Sequence, residues 1–134
     1  DVLGGSAQPS NNVQSVTNNG FIFSEGLIIQ NKSALLLSGR ILEFTPKYNI
    51  KNGFIVEFEQ SSLNFLKLIN PQPDLFVIGL GSKSRLLSQT NIEFLNSLGI
   101  RCDISDTRGA VRNFDLLATE RPNQVAAIFL PPNV

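Results

Sequence analysis

Short apolar runs separated by polar turns punctuate the chain. Asn19-Gly20 opens Phe21-Ile22-Phe23, and after Ser24-Glu25-Gly26 a second run, Leu27-Ile28-Ile29, follows, so the pair predicts a β-hairpin. Beyond a polar turn at 31–33 come Leu35-Leu36-Leu37, then Ser38-Gly39 and the run from Ile41 to Phe44, which predict further strand structure ended by Pro46. Asn52-Gly53 starts the stretch from Phe54 to Phe58, a strand or a turn by its pattern. Ser61 and Ser62 can cap a helix whose apolar positions Leu63, Phe65, Leu66, Leu68 and Ile69 recur at helical spacing until Asn70-Pro71 stops it. Leu75-Phe76-Val77-Ile78 is a continuous apolar run between Pro73-Asp74 and Gly79, the pattern of a strand covered on both faces.

Thr90 with Glu93 three residues on has the form of a capping box, Ile92, Leu95 and Leu98 make a helical stripe, and Gly99 follows as a C-terminal cap. Ile100 to Ile104 reads as a strand, Thr107 as the cap of a helix carrying Val111, Phe114 and Leu117, and Val125 to Leu130 as the last strand before Pro131-Pro132. Strand and helix alternate through the second half, while the first half supplies hairpin strands. The expected class is therefore α/β, a parallel or mixed sheet with helices packed on it and an N-terminal hairpin.

Residues 1–19, rich in Gly, Ser, Asn and Gln with few aliphatics, read as a flexible arm, because such a composition cannot offset the entropy of ordering. Residues 20–132 read as one α/β domain and 133–134 as a C-terminal tail. A chain of 134 residues is long enough for one core.

Composition narrows the function more than it names one. Eleven basic residues balance eleven acidic ones, so no net field draws the chain to phosphate backbones and no direct DNA binding is expected. The absence of histidine removes the commonest general base, the histidine triads and most catalytic zinc sites. Cys102 is the only cysteine, so no intrachain disulfide forms and a reducing compartment fits best. Lying between Ile100 and Ile104, it reads as a buried structural thiol, with no imidazole to activate it. No apolar run approaches the roughly 20 residues that span a bilayer as a helix. With no methionine anywhere, the chain is expected to have lost an N-terminal piece such as a targeting peptide.

Gly79-Leu80-Gly81-Ser82-Lys83-Ser84 follows a strand and precedes a helix, where backbone N–H groups can cradle a phosphate, but Ser84 stands where the nucleotide fingerprint needs a third glycine. A structural turn is the simpler reading. Asp103, Asp106 and Asp115 suggest a cation site only until Asp106-Thr107 is seen as a helix entry, and Arg101, Arg108 and Arg112 suggest a basic patch or a solvated face. No catalytic residue, metal or cofactor is expected.

The order of these motifs resembles a small α/β family of long-unassigned function that includes mitochondrial NADH:ubiquinone oxidoreductase (complex I) assembly factor 3. The resemblance runs from Gly20-Phe21-Ile22 and Leu27-Ile28 through Leu68-Ile69-Asn70-Pro71 and Val77-Ile78-Gly79-Leu80-Gly81. It continues through Leu98-Gly99-Ile100, Asp106-Thr107, Ala110, Asn113-Phe114 and Leu116-Leu117 to the closing segment from Val125 to Pro131. It departs at Leu80 and Ser82, at Arg112-Asn113, and in an extended stretch from Thr45 to Gly53. The resemblance implies a compact three-layer fold around a mixed sheet and, with the missing catalytic chemistry, a non-enzymatic protein-interaction module in the mitochondrial matrix or at the matrix face of the inner membrane, either a chaperone-like assembly factor or a stable subunit of an inner-membrane or ribosomal assembly. It brings no catalytic residue.

The loops Gly79 to Ser84 and Asp106 to Asn113 both follow predicted strands, so parallel strands would bring them to one edge of the sheet. The expected partner-binding residues are Gly79, Gly81, Ser82, Asp106, Thr107, Arg108, Arg112 and Asn113. The alternative is a small-ligand or enzymatic site on the same two loops.

Overall fold

The structure is a computed structural model that describes residues 13–121 and 124–134. Eleven strands and three helices occur in it in the order β1 (Val13–Val16), β2 (Gly20–Phe23), β3 (Ile28–Gln30), β4 (Ser33–Leu37), β5 (Arg40–Phe44), β6 (Tyr48–Lys51), β7 (Ile55–Phe58), α1 (Gln60–Leu63), β8 (Leu75–Gly79), β9 (Leu86–Leu87), α2 (Gln89–Ser97), β10 (Arg101–Ser105), α3 (Thr107–Glu120) and β11 (Val125–Phe129). The central five-stranded sheet has the order β10-β8-β11-β4-β5. Its first three strands run parallel, and β4 and β5 pair antiparallel, which makes the sheet mixed.

Alternation along the central strands divides the core. Leu75 and Val77 of β8, Ala127 and Phe129 of β11, and Ala34 and Leu36 of β4 face α3 and the antiparallel β1-β2-β3 sheet. Their neighbours Phe76, Ile78, Ala126, Ile128 and Leu35 face the opposite layer, where α1, α2 and the β6-β7-β9 sheet contribute Leu63, Leu95, Val56 and Leu87. Because both faces are covered, β8 and β11 are buried at every residue, as a continuous apolar run predicts. On the α3 face, Phe129 packs against Phe21 and Phe114, with ring centroids 5.9 and 6.0 Å apart.

The hairpin expected at 21–29 is present, closed by a 3-10 turn at Ser24–Gly26. The expected arm runs too far, since Val13–Val16 pairs with β2 and buries Val13 against the α3 face. Residues 1–12 lie outside the described residues. The uncertain stretch near Phe54 to Phe58 is strand β7, paired with β6, an element the apolar pattern did not single out.

Three helix starts differ from expectation. Glu59, not Ser61 or Ser62, precedes α1, and the Ser62 hydroxyl instead accepts a hydrogen bond from Lys47 N–H at 2.8 Å. That helix is only four residues long and tightens into a 3-10 turn over Asn64–Leu68. At α2 the cap is Ser88, whose Oγ accepts from Asn91 N–H at 3.2 Å, so the Thr90 to Glu93 box is not used. At α3 Asp106 supplies the cap and Thr107 is the first helical residue. Gly99 does follow α2 in the left-handed region, with φ of 80°.

Candidate functional site

Parallel β8, β11 and β10 deliver their C-terminal ends to one edge of the sheet. Leaving that edge are the loop after Gly79, the turn into α3 and the segment Leu130 to Val134. Thr107 joins all three. Its Oγ1 accepts from Gly81 N–H at 2.9 Å and donates to the Leu130 carbonyl at 2.7 Å, while its own N–H donates to the Gly81 carbonyl at 2.9 Å. The side chain is fully buried, so each of these bonds is made away from water.

Glycines permit this approach. A Cβ on Gly79 would lie 2.8 Å from the Thr107 Cα and 3.0 Å from the Ala110 Cβ. Gly81, at φ of 98°, turns the chain in the left-handed region, and a Cβ there would meet Arg85 Nη1 at 2.6 Å and the Val134 oxygen at 2.8 Å. Arg85 closes the outer side, donating through Nη1 to Leu80 O at 2.7 Å and to Val134 O at 3.0 Å. Ser82 donates to the same Val134 oxygen from both Oγ, at 2.7 Å, and N–H, at 3.0 Å. The segment expected as a tail is thus bound back onto the loop.

The arrangement decides what the loop's donors can do. Leu80 N–H is held by Ser105 O at 2.9 Å, Gly81 N–H by Thr107 and Ser82 N–H by Val134, so three consecutive donors point at protein acceptors. At the start of α3, Gly109 N–H goes to Asp106 Oδ1 at 3.3 Å and Ala110 N–H to Asp106 O at 2.9 Å. A phosphate cradle needs such donors free. The loop also leads into the short strand β9 before α2, unlike a nucleotide-binding turn.

The two predicted loops therefore meet, yet the eight residues singled out on them divide. Gly79, Gly81 and Thr107 are buried and serve the junction. Ser82, Arg108 and Arg112 are exposed, and Asp106 and Asn113 are half-buried. Arg108 has a structural task that its sequence neighbourhood does not reveal: its guanidinium donates to Val16 O at 3.3 Å and to Thr17 O at 3.1 Å, tying β1 to α3. Sequence reasoning missed Arg85, Leu130 and Val134. Their bonds run between segments far apart in the chain, 49 residues for Arg85 to Val134, and no local pattern encodes them.

Beside the junction lies a cleft of about 190 Å³ bordered by Ser33, Phe44, Tyr48, Pro131 and Val134. Burial raises the Tyr48 phenol above its usual range, opposed in part by the Arg85 charge. A second cleft of about 340 Å³ opens between β10 and α3, lined by Asp103, Asn113, Leu116, Leu117 and Glu120. Cys102, expected to be buried, is half-buried because β10 is an edge strand, and burial pushes its thiol up to about 11. That keeps it protonated and poorly nucleophilic near neutrality. Burial likewise raises Asp115 to about 6, and its Oδ1 has no hydrogen-bond partner. Among the described residues no three histidine, cysteine or carboxylate side chains are grouped to hold a metal ion, and no helix is long and apolar enough to cross a membrane.

Residues 13–130 match a family described as "Protein of unknown function (DUF498/DUF598)". A Xenopus tropicalis protein named NADH dehydrogenase (ubiquinone) 1 alpha subcomplex assembly factor 3 is 24% identical over 111 residues, covering 83% of this chain and 59% of its own length. The Danio rerio protein of the same name is 32% identical over 71 residues, covering 53% of this chain and 41% of its own. The chain thus spans less than two thirds of either assembly factor. Among solved structures, a Bartonella henselae protein described as an outer membrane protein superposes with a TM-score of 0.72 at 21% identity, covering 93% of this chain and 98% of that one. A Xanthomonas campestris protein superposes with a TM-score of 0.70 at 17% identity, covering 100% and 95%. These likenesses establish a shared fold.

Proposed function

The chain belongs to the DUF498/DUF598 family of proteins of unknown function, and on that premise we propose that it is a non-enzymatic protein-interaction module acting in the assembly of a complex I type membrane enzyme. The observation that carries this reading is the junction, whose loop N–H donors are taken up by protein acceptors, although Arg85 Nε is buried there without a partner among the described residues. The polar groups at the sheet edge, where an α/β enzyme would hold a ligand, are bonded to one another through Thr107, Arg85 and Val134. What the surface offers instead is apolar side chains, among them Leu68 at 87% and Leu116 at 69% exposure, and such residues are suited to contacts with other proteins. The direction of the proposal comes from the frog and zebrafish proteins, whose names state an assembly role.

The proposed site of action is mitochondrial, in the matrix or at the matrix face of the inner membrane, a reading supported by the same likeness to the assembly factors. The fold does not carry it, since relatives of this shape occur in bacteria. The proposed partners are protein subunits of an assembly intermediate, and any membrane association is through them.

Native gel separation of membrane extracts from cells carrying tagged chain tests the proposal. The tag should migrate with an NADH:ubiquinone oxidoreductase subassembly, and depletion of the protein should lower the amount of finished enzyme. Migration only as free protein, with unchanged enzyme after depletion, overturns it. Presence in the finished enzyme would make the chain a permanent subunit.

A further inference from the structure

The β10 edge of the central sheet has unpaired backbone and a charge order that complements itself. Its ladder with β8 uses alternate residues: Arg101 N–H donates to Asp74 O at 3.0 Å, and Ser105 O accepts from Leu80 N–H at 2.9 Å. Strand geometry therefore turns the N–H and C=O groups of Cys102 and Ile104 away from β8, and they have no partner among the described residues. The residues around them read Ile100-Arg101-Cys102-Asp103-Ile104, which is symmetric about Cys102 except that Arg101 is answered by Asp103. Arg101 is exposed, Asp103 half-buried, and neither side chain has a hydrogen bond or ion pair among the described residues.

We infer that β10 is a homodimer interface, in which the edge strands of two copies pair antiparallel about Cys102 and join their central sheets. In that register the outward backbone groups of Cys102 bond to those of Cys102 in the second copy. Arg101 then falls opposite Asp103 of the second copy, and Asp103 opposite its Arg101. These are non-hydrogen-bonded positions, where facing Cα atoms come within about 4.5 Å and side chains interact most closely. Both residues share the face of Leu75 and Val77, so each arriving guanidinium enters the cleft between β10 and α3, which has Asp103 and Glu120 on its walls.

Sliding by two residues in either direction, the smallest shift that keeps the outward backbone groups paired, sets Arg101 against Arg101, or Asp103 against Asp103, so like-charge repulsion selects the register. Ile100 N–H is already bonded to Leu95 O at 3.0 Å, which limits the new ladder at that end. The opposite edge lacks this property. The same operation about Leu42 of β5 sets Arg40 against Phe44 and Ile41 against Glu43. A second copy is therefore the occupant favoured at β10, independently of the assembly role proposed above.

Sedimentation equilibrium over a range of concentrations, with Arg101→Asp, Asp103→Arg and the double variant, tests this. The wild type should dimerise, each single reversal should weaken dimerisation by about tenfold or more, and the double variant, whose facing charges are again opposite, should recover it. Hydrogen exchange gives a readout that needs no substitution: the amides of Cys102 and Ile104 should become protected as protein concentration rises. A wild type monomeric up to about 1 mM, the weak end of specific association, overturns the inference. So does dimerisation indifferent to the charge swaps, or exchange at Cys102 and Ile104 that does not change with concentration.

Discussion

The hydroxyl of Thr107 donates to the carbonyl of Leu130 at 2.7 Å, linking the first turn of α3 to the end of β11 across 23 residues of sequence. The same oxygen accepts from Gly81 N–H, so one buried atom coordinates three chain segments. Thr107→Val keeps the shape, removes both bonds and leaves a donor and an acceptor unsatisfied. It should cost about 2–4 kcal/mol. Thr107→Ser, which keeps the hydroxyl, should retain most of the stability. Urea denaturation of the three proteins checks this, and equal midpoints for the Val and Ser variants would refute the role given to the hydroxyl.

Gly79→Ala should destabilise the domain by about 1–3 kcal/mol, since the added methyl would press on the Thr107 backbone 2.8 Å away, which is anchored at both ends. Thermal melting should show a fall of about 4 °C for each kcal/mol lost in a domain of this size. An unchanged melting temperature would mean that β8 and α3 are not in close contact at this point.

Arg108 and Arg112 lie one helical turn apart, yet only Arg108 holds β1 through Val16 and Thr17. Arg108→Ala should speed hydrogen exchange in Val13–Val16 with less than about 1 kcal/mol of global cost, because the side chain is exposed. Arg112→Ala should leave those amides unaffected. Charge reversal at Arg112 is thus the cleaner probe of partner contact, since any effect at Arg108 mixes contact with loss of β1.

Asp115 predicts a pH effect of defined sign. Its folded-state pKa is raised from 3.8 to about 6 by burial, so the folded protein holds the proton more tightly than the unfolded chain. The resulting stability is fully present below about pH 4 and is lost as pH rises through about 6. Asp115→Asn should therefore stabilise at pH 7.5 by about 1 kcal/mol, discounted for the half-exposed position, and the gain should vanish near pH 4. Melting temperatures of both proteins across that range test it, and a gain independent of pH would assign the effect to something other than charge.

Much of the central sheet was legible from one-dimensional pattern. Leu75-Phe76-Val77-Ile78 and Val125 to Leu130 are apolar without interruption because both of their faces are covered, and the parallel exits of β8 and β10 follow from the alternation of strand and helix. Strands β1 and β6 were not legible. Val13–Val16 is polar at its two middle positions and Tyr48–Lys51 is exposed at alternate residues, so each is held by pairing to a neighbour more than by its own burial. Caps failed for a related reason. Ser88 and Thr90 are both competent by type at α2, where Ser88 caps Asn91, which is buried with its amide bonded to both Phe58 N–H, at 2.7 Å, and Phe58 O, at 3.1 Å. That contact fixes where α2 begins, and it is 33 residues distant in sequence. At the candidate site the right loops were found, but which of their residues are interior was not, since Thr107 and Arg108 are adjacent polar residues with opposite surroundings.

The position of β11 has a consequence for how the protein is made. Val125–Phe129, the last of the five central-sheet strands in sequence order, sits in the interior of that sheet between β8 and β4. Until it emerges, the β4-β5 hairpin and the β8-β10 pair are two separate ribbons, each presenting an open apolar edge. The two halves cannot be joined until residues 125–129 have been translated. The nascent chain therefore passes through a stage that invites mispairing, and a premature stop before residue 125 would release two unmatched half-sheets instead of a shortened domain.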